Sequence, residues 1–216
     1  MPLRILVVDD HAVVRRGVRS LLESHEGWEV CGEATNGRDA VEQCRRLRPD
    51  VVVMDLSLPE LNGLDATRQI LKDAPDTEVL VLTMHHSEEL ARDVLQAGAR
   101  GYVLKSDADE NLITAVDSLR QHKPFLTSKV TEFVLDDYVR RGDGALDELA
   151  SSGVTARERE IIQLIAEGQS NKEAASTLGI SVKTIEAHRA NIMRKLHLRS
   201  VSDLVRYAIR NKIAQP

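Results

Sequence analysis

Short, largely apolar runs alternate, up to about residue 122, with longer stretches whose apolar positions recur every three to four residues. The short runs are "RILVVDD", "WEVCGEA", "DVVVMDL", "EVLVLTM" and "GYVLK". Continuous β-branched runs of this length read as strands buried on both faces. Between and after them lie "HAVVRRGVRSLLES", "GRDAVEQCRRL", "LDATRQILKDA", "EELARDVLQAG" and "ADENLITAVDSLRQ", all with helical spacing. Five strands alternating with five helices predict an α/β unit with a parallel, doubly wound sheet. Right-handed crossovers restrict its topology, and a common order, 2-1-3-4-5, sets strands 1 and 3 side by side.

The pattern changes twice further on. Over residues 123–153 it weakens: "TSKVTEFVLDDYVRR" has helical spacing, and "GDGALDELASSG" has the composition of a mobile connection. From Val154 the strand-like runs stop and four short helices are predicted, an all-α unit over 154–216. Thr155 with Glu158 and Ser170 with Glu173 fit the capping box, Ser181 is a cap for the third helix, and Ser200 with Asp203 is a weaker box. Gly168 and Gly179 stand where helices should stop.

Open parallel sheets gather functional groups at the carboxyl ends of their strands. In turn, those ends carry Asp9 and Asp10, then Asp55, then Thr83, then Lys105. The plain alternative for the first pair is that one aspartate caps the following helix. With strands 1 and 3 adjacent, however, three carboxylates converge on one crevice and repel one another unless a cation sits among them. Hard oxygen ligands with room for water suit Mg²⁺. A central carboxylate beside a metal, a hydroxyl and an ammonium group can act as a nucleophile and form an aspartyl-phosphate, which makes Asp55 the candidate acceptor. Lys105 and Thr83 would then bind phosphoryl oxygens. His85 and His86 are adjacent and cannot face one ligand from a regular element; they should open the helix after strand 4. Trp28 should pack.

In the last unit "NKEAASTLG" and "VKTIEAHRANIMRKLH" are separated only by a tight turn at Gly179 to Ser181, a helix-turn-helix whose second helix would lie in a DNA major groove. On that helix Ile185, Ile192 and Leu196 share the core face, while Lys183, Glu186, Ala187 and Ala190 lie opposite. Arg189, Arg194 and Lys195 are cations suited to phosphates, and Thr184 and His188 complete the candidate contact set.

Charge sharpens this reading. The chain of 216 residues has a formal net charge of −5. Residues 154–216 nevertheless hold 11 Lys/Arg against 6 Asp/Glu, net +5, and the remainder holds 18 against 28, net −10. A basic tail behind an acidic body points to a polyanion partner for the tail alone. Tyr207 is the only aromatic from Val154 onward, which disfavours single strands, whose bases usually stack on rings, and favours the duplex. No apolar stretch is long enough for a membrane span, no basic segment followed by an apolar core opens the chain, and Cys31 and Cys44 make no disulfide framework; a cytoplasmic protein is expected.

"VVDDH", "VVMDLSLPELNGLD", "VLTM" and "GARGYVLK" together resemble the receiver domain of two-component response regulators, which has the flavodoxin-like sheet order. That resemblance covers residues 1–122. "TAREREIIQLIAEGQSNKEAASTLGISVKTIEAHRANIMRKL" resembles the DNA-binding domain of NarL/FixJ-type (LuxR-like) regulators. The first resemblance implies phosphoryl transfer to Asp55 from a sensor histidine kinase, and Mg²⁺ on Asp10, Asp55 and the Ser57 backbone carbonyl with help from Asp9. It also implies a switch pair in Thr83 and Tyr102. Ser106 follows Lys105 where relatives commonly have proline, often after a cis bond, and Ala174 stands where a bulkier aliphatic residue is usual. The second implies transcription regulation through duplex DNA, with part of the last helix (Val201, Leu204, Val205, Ala208, Ile209) serving a homodimer on DNA or after phosphorylation, and with RNA polymerase as a further partner. Two rivals remain at this point: a DNA-binding regulator that is never phosphorylated, and an aspartyl-phosphate phosphohydrolase. The second would carry a D-x-D-type motif on strand 1, which Asp55-Leu56-Ser57 on strand 3 does not match. The expectation is a regulator, not an enzyme.

Overall fold

The computed structural model describes residues 2–84, 87–127, 130–131 and 154–214. They fall into two compact units, one built on a sheet and one built from the last four helices.

In the first unit β1 (Leu3–Val8), α1 (Ala12–Glu23), β2 (Trp28–Ala34), α2 (Gly37–Leu47), β3 (Val51–Met54), α3 (Gly63–Asp73), β4 (Glu78–Thr83), α4 (Glu88–Gln96), β5 (Gly101–Leu104) and α5 (Ala108–Arg120) follow one another as the periodicity predicts. All pairings are parallel. Alternate strand residues Ile5, Val7, Val51, Val53, Leu80, Leu82 and Val103 share one core with Val18 and Leu22 of α1 and Leu112, Val116 and Leu119 of α5. The intervening residues Leu6, Val8, Val52, Met54, Val79 and Val81 are buried as well. Both faces are covered along β1, β3, β4 and β5, and for that reason those strands read as nearly continuous apolar runs, whereas β2 at the edge carries exposed Glu29 and half-buried Glu33. Trp28 is nearly buried at the start of β2 and its ring stacks on His25 at 4.0 Å, a packing role as expected. Cys31 and Cys44 are free, and burial pushes both thiols up.

The sheet has six strands, in the order β2-β1-β3-β4-β5-β6, where the sequence pattern predicts five. The extra strand, β6 (Phe125–Leu126), pairs with Gly101 and Tyr102 of β5 and lies in the stretch expected to be linker. Two residues are too few to show a period. The pairing exists because the outer edge of β5 offers unpaired backbone groups, one of which, the Arg100 carbonyl, accepts from the Phe125 N–H at 2.9 Å. The helix expected over residues 127–141 falls almost wholly outside the described residues, as do His85 and His86.

In the second unit α6 (Ala156–Ala166), α7 (Asn171–Leu178), α8 (Val182–Lys195) and α9 (Val201–Arg210) start at the residues that the sequence marks as caps. Thr155 and Ser170 close full capping boxes with Glu158 and Glu173, and Ser181 and Ser200 accept from the Thr184 and Asp203 N–H groups. Gly179 ends α7 at φ 63°, a left-handed conformation that glycine adopts without steric cost and that turns the chain into α8 within two residues. The core gathers Ile161, Ile162 and Ile165 of α6, Ala174 and Leu178 of α7, Ile185 and Ile192 of α8, and Leu204 and Ala208 of α9. Ala174 is fully buried, so the small residue is accommodated inside the core. On α9 the apolar stripe divides: Leu204 and Ala208 point inward, while Val201 and Ile209 remain exposed.

Candidate functional site

The register of β1 against β3, Ile5 opposite Val51 through Val8 opposite Met54, brings the two strand ends level. The Asp55 N–H donates to the Val8 carbonyl at 2.9 Å, which sets Asp55 beside Asp9. Both carboxylates are buried, each 2 % exposed, whereas Asp10 points outward and is exposed. Gly63, at the start of α3, lies so close to the Asp55 carbonyl that a side chain there would strike it. Glycine at that position lets the loop after β3 fold back over the site.

Lys105 leaves the end of β5 in a 3-10 turn (Lys105–Asp107) and reaches back across the sheet. Its Nζ donates to Asp55 Oδ2 at 2.8 Å and lies 2.6 Å from Asp9 Oδ2. The ammonium thus bridges the two buried carboxylates. Asp9 Oδ1 accepts from the His11 backbone N–H at 2.8 Å, and Asp55 Oδ1 accepts from the Leu56 N–H at 2.8 Å. Burial pushes the Asp55 carboxyl above the usual range against the opposing pull of Lys105, and Asp9 adds to the rise. For Lys105, burial would lower the pKa, but the bonds to Asp55 and Asp9 outweigh it and hold the ammonium above its ordinary value.

Neither aspartate caps α1. Its N-cap is His11, which contributes no side-chain bond, and Asp9 holds the His11 N–H outside the helix. The imidazole instead places Nδ1 2.7 Å from Asp10 Oδ1, so Asp9, Asp10, His11 and Asp55 all offer ligand atoms within 4.8 Å of one another. His11 was not among the predicted residues; its only sequence signal is its position directly after the aspartate pair. The donor set is dominated by hard carboxylate oxygens, which fits an oxygen-seeking divalent cation. Thr83 ends β4 fully buried, and Tyr102 on β5 is only 1 % exposed, with burial raising its phenol to about 12. All described peptide bonds are trans, including Lys105–Ser106.

On α8, Lys183, Thr184, Glu186, Ala187, Ala190, Arg194 and Lys195 are exposed and His188 and Arg189 half-buried. Several of the candidate cations have internal partners. Lys195 Nζ donates to Glu158 Oε2 at 2.8 Å, Arg189 donates to Asn171 Oδ1 at 3.1 Å, and Arg194 donates to Asn191 Oδ1 at 2.7 Å. Arg189 therefore braces α8 against the first residue of α7. Lys183 makes no ion pair among the described residues.

The chain matches the response regulator receiver domain over residues 5–117 and the LuxR family of bacterial regulatory proteins over residues 152–208. It is 41% identical to the oxygen regulatory protein NreC of Staphylococcus epidermidis over 219 residues, covering 99% of this chain and 100% of that one. A LuxR-family two-component response regulator from Aurantimonas sp. SI85-9A1 superposes with a TM-score of 0.61 at 34% identity, over 64% of this chain and 99% of that one. The response regulator RcsB, solved in a complex with DNA, superposes with a TM-score of 0.59 at 28% identity, over 96% and 98% of the two chains. The fold and site define a two-component receiver joined to a DNA-binding helix-turn-helix. The chain belongs to the NarL/FixJ family of response regulators, which are phosphorylation-dependent transcription regulators and not enzymes. Among the described residues no helix is long and apolar enough to cross a membrane.

Proposed function

We propose that Asp55 is the phosphoacceptor of this response regulator and that a sensor histidine kinase is its donor. The observation that carries this reading is the buried trio of Asp55, Asp9 and Lys105, in which one ammonium lies 2.8 Å from Asp55 Oδ2 and 2.6 Å from Asp9 Oδ2. In the transfer, an Asp55 oxygen attacks phosphorus, the P–N bond to the donor imidazole breaks, and the imidazole nitrogen keeps the electron pair. Lys105, already at the acceptor, then pairs with a phosphoryl oxygen, and the Thr83 hydroxyl takes another. Asp9, Asp10, Asp55 and the Ser57 carbonyl would hold Mg²⁺, which when bound neutralises the charge that carboxylates and phosphoryl oxygens concentrate there. Thr83 and Tyr102 are the paired switch residues, which reorient when Asp55 is phosphorylated.

The output is duplex DNA, with α8 in the major groove and Lys183, Thr184, Glu186, Ala187, His188, Arg189, Ala190, Arg194 and Lys195 as its contact set. RcsB solved with DNA supports this for a related chain. Exposed Val201 and Ile209 on α9 supply a self-complementary apolar strip for a homodimer on DNA, and RNA polymerase is the downstream partner. Residues 1–122 form the receiver, 123–153 the linker and 154–216 the DNA-binding domain of a cytoplasmic protein. The test is acetyl phosphate labelling followed by a mobility-shift gel for phosphoprotein. Wild type should be labelled only with Mg²⁺ and Asp55→Asn not at all; equal labelling of the variant would move the acceptor elsewhere.

A further inference from the structure

Glu186 makes no hydrogen bond or ion pair among the described residues. It sits exposed in the first half of α8, on the same outward face as Lys183, Ala187 and Ala190. An exposed helical glutamate can pair with a cation three or four residues away. Here the candidates are Lys183 and Arg189; Lys183 makes no ion pair among the described residues, and Arg189 is turned to Asn171. Every other ionised group among the described residues of this face is a cation, as a polyanion requires. A lone carboxylate there is repelled by the phosphates and costs affinity unless it meets a donor.

The major groove holds few donors. Guanine presents N7 and O6 acceptors and thymine presents O4, so both repel a carboxylate, while cytosine N4 offers a donor. Adenine N6 is a donor flanked by the N7 acceptor, which suits an amide with both functions better than a carboxylate. Resting on the DNA-binding reading above, we propose that Glu186 is a specificity-determining residue that accepts a hydrogen bond from cytosine N4 and so requires a G·C pair at one position of each half-site. Lys183, one turn earlier, is the complementary donor for a neighbouring guanine edge. The carboxylate selects largely by repulsion, rejecting the wrong base at the expense of some general affinity.

The experiment is selection of bound duplexes from a random pool by the full chain, with and without acetyl phosphate, for wild type, Glu186→Gln and Glu186→Ala. Wild type should enrich a fixed C at one half-site position. Glu186→Gln should change that base to A, because glutamine both donates to N7 and accepts from N6. Glu186→Ala should lose preference at that position alone, by roughly 5- to 100-fold, and bind mismatched sites more tightly than wild type does. If all three proteins enrich the same base at every position, the base-reading role is overturned while DNA binding stands. If wild type enriches no sequence under either condition, the DNA-binding reading falls and this inference with it.

Discussion

Lys195, in the last turn of α8, donates to the buried carboxylate of Glu158 in the first turn of α6 at 2.8 Å. The same carboxylate accepts from the Thr155 N–H at 2.8 Å and from Asn191 Nδ2 at 3.1 Å. One side chain therefore closes a capping box and ties together two helices that are distant in sequence. Glu158→Ala should destabilise the DNA-binding unit by about 2 kcal/mol, the loss of a cap plus two partners left unpaired. Urea denaturation followed by helical circular dichroism checks this; an unchanged midpoint would remove Glu158 from the fold's support.

Glu158 also predicts a pH dependence. Burial raises its pKa, but Lys195 and Thr155 more than offset that, and the group sits below its ordinary 4.5. The native state thus binds fewer protons than the unfolded chain just below that value, so stability rises with pH there. The contribution is complete above about pH 4.5 and is lost as pH falls through the lower, folded value. Acid titration of the wild type and Glu158→Gln should show the variant with the shallower loss below pH 4.5, by circular dichroism at constant ionic strength.

Asp55 has the opposite sign. Its raised pKa means that the native state holds its proton more tightly than the unfolded chain, so this group's contribution is favourable in acid and is lost as pH rises through the folded value. At neutral pH the buried charge is a cost accepted for function. Asp55→Asn should raise the melting temperature of the receiver by about 2–4 °C at pH 7, and the gap should close in acid. Differential scanning fluorimetry at two pH values is sufficient, and a lower melting temperature at pH 7 would contradict the assignment of burial as the dominant effect.

A divalent cation should remove much of the same cost. Binding to the native state alone stabilises by RT ln(1 + [L]/Kd), about 2.7 kcal/mol at a hundredfold excess over Kd. Mg²⁺ should therefore raise the melting temperature of wild type in a saturable way, reversed by EDTA. Asp9→Asn and Asp10→Ala should need more Mg²⁺ for the same shift while still folding. A Mg²⁺ response that survives both substitutions would place the metal elsewhere.

DNA affinity should fall steeply with salt, because each neutralised phosphate releases counterions. Arg194→Ala should weaken binding to all sequences and lower the slope of log K against log[salt] by about 1. Lys195→Ala should do the same and, unlike Arg194→Ala, should also lower stability, since its ammonium is shared with Glu158. Fluorescence anisotropy across a salt series, paired with thermal melts, separates the two effects.

Much of this was legible in the sequence because it depends on residues close together along the chain. The runs of β1, β3, β4 and β5 are almost wholly apolar since helices cover both sheet faces there, and the serine and threonine caps act on N–H groups three residues away. Gly179 ended α7 where a left-handed residue was needed. A parallel order with strands 1 and 3 adjacent lines up the strand ends, and that alone brings Asp9, Asp55 and Lys105 to one place.

What tertiary structure alone decided concerns partners far apart in sequence. β6 exists because β5 has an open edge, not because Phe125 and Leu126 announce a strand. The last helix divided its stripe, Leu204 and Ala208 inward and Val201 and Ile209 outward, according to how α6 packs against it. Lys195 belongs partly to Glu158, 37 positions earlier, and the Lys105 ammonium is shared between Asp9 and Asp55. Periodicity and capping are set by the backbone geometry of neighbouring residues, so the sequence by itself determined the elements and which strand ends carry charge. Hydrogen-bond direction and the sharing of one charge between distant groups depend on angles and distances that exist only once those elements are packed.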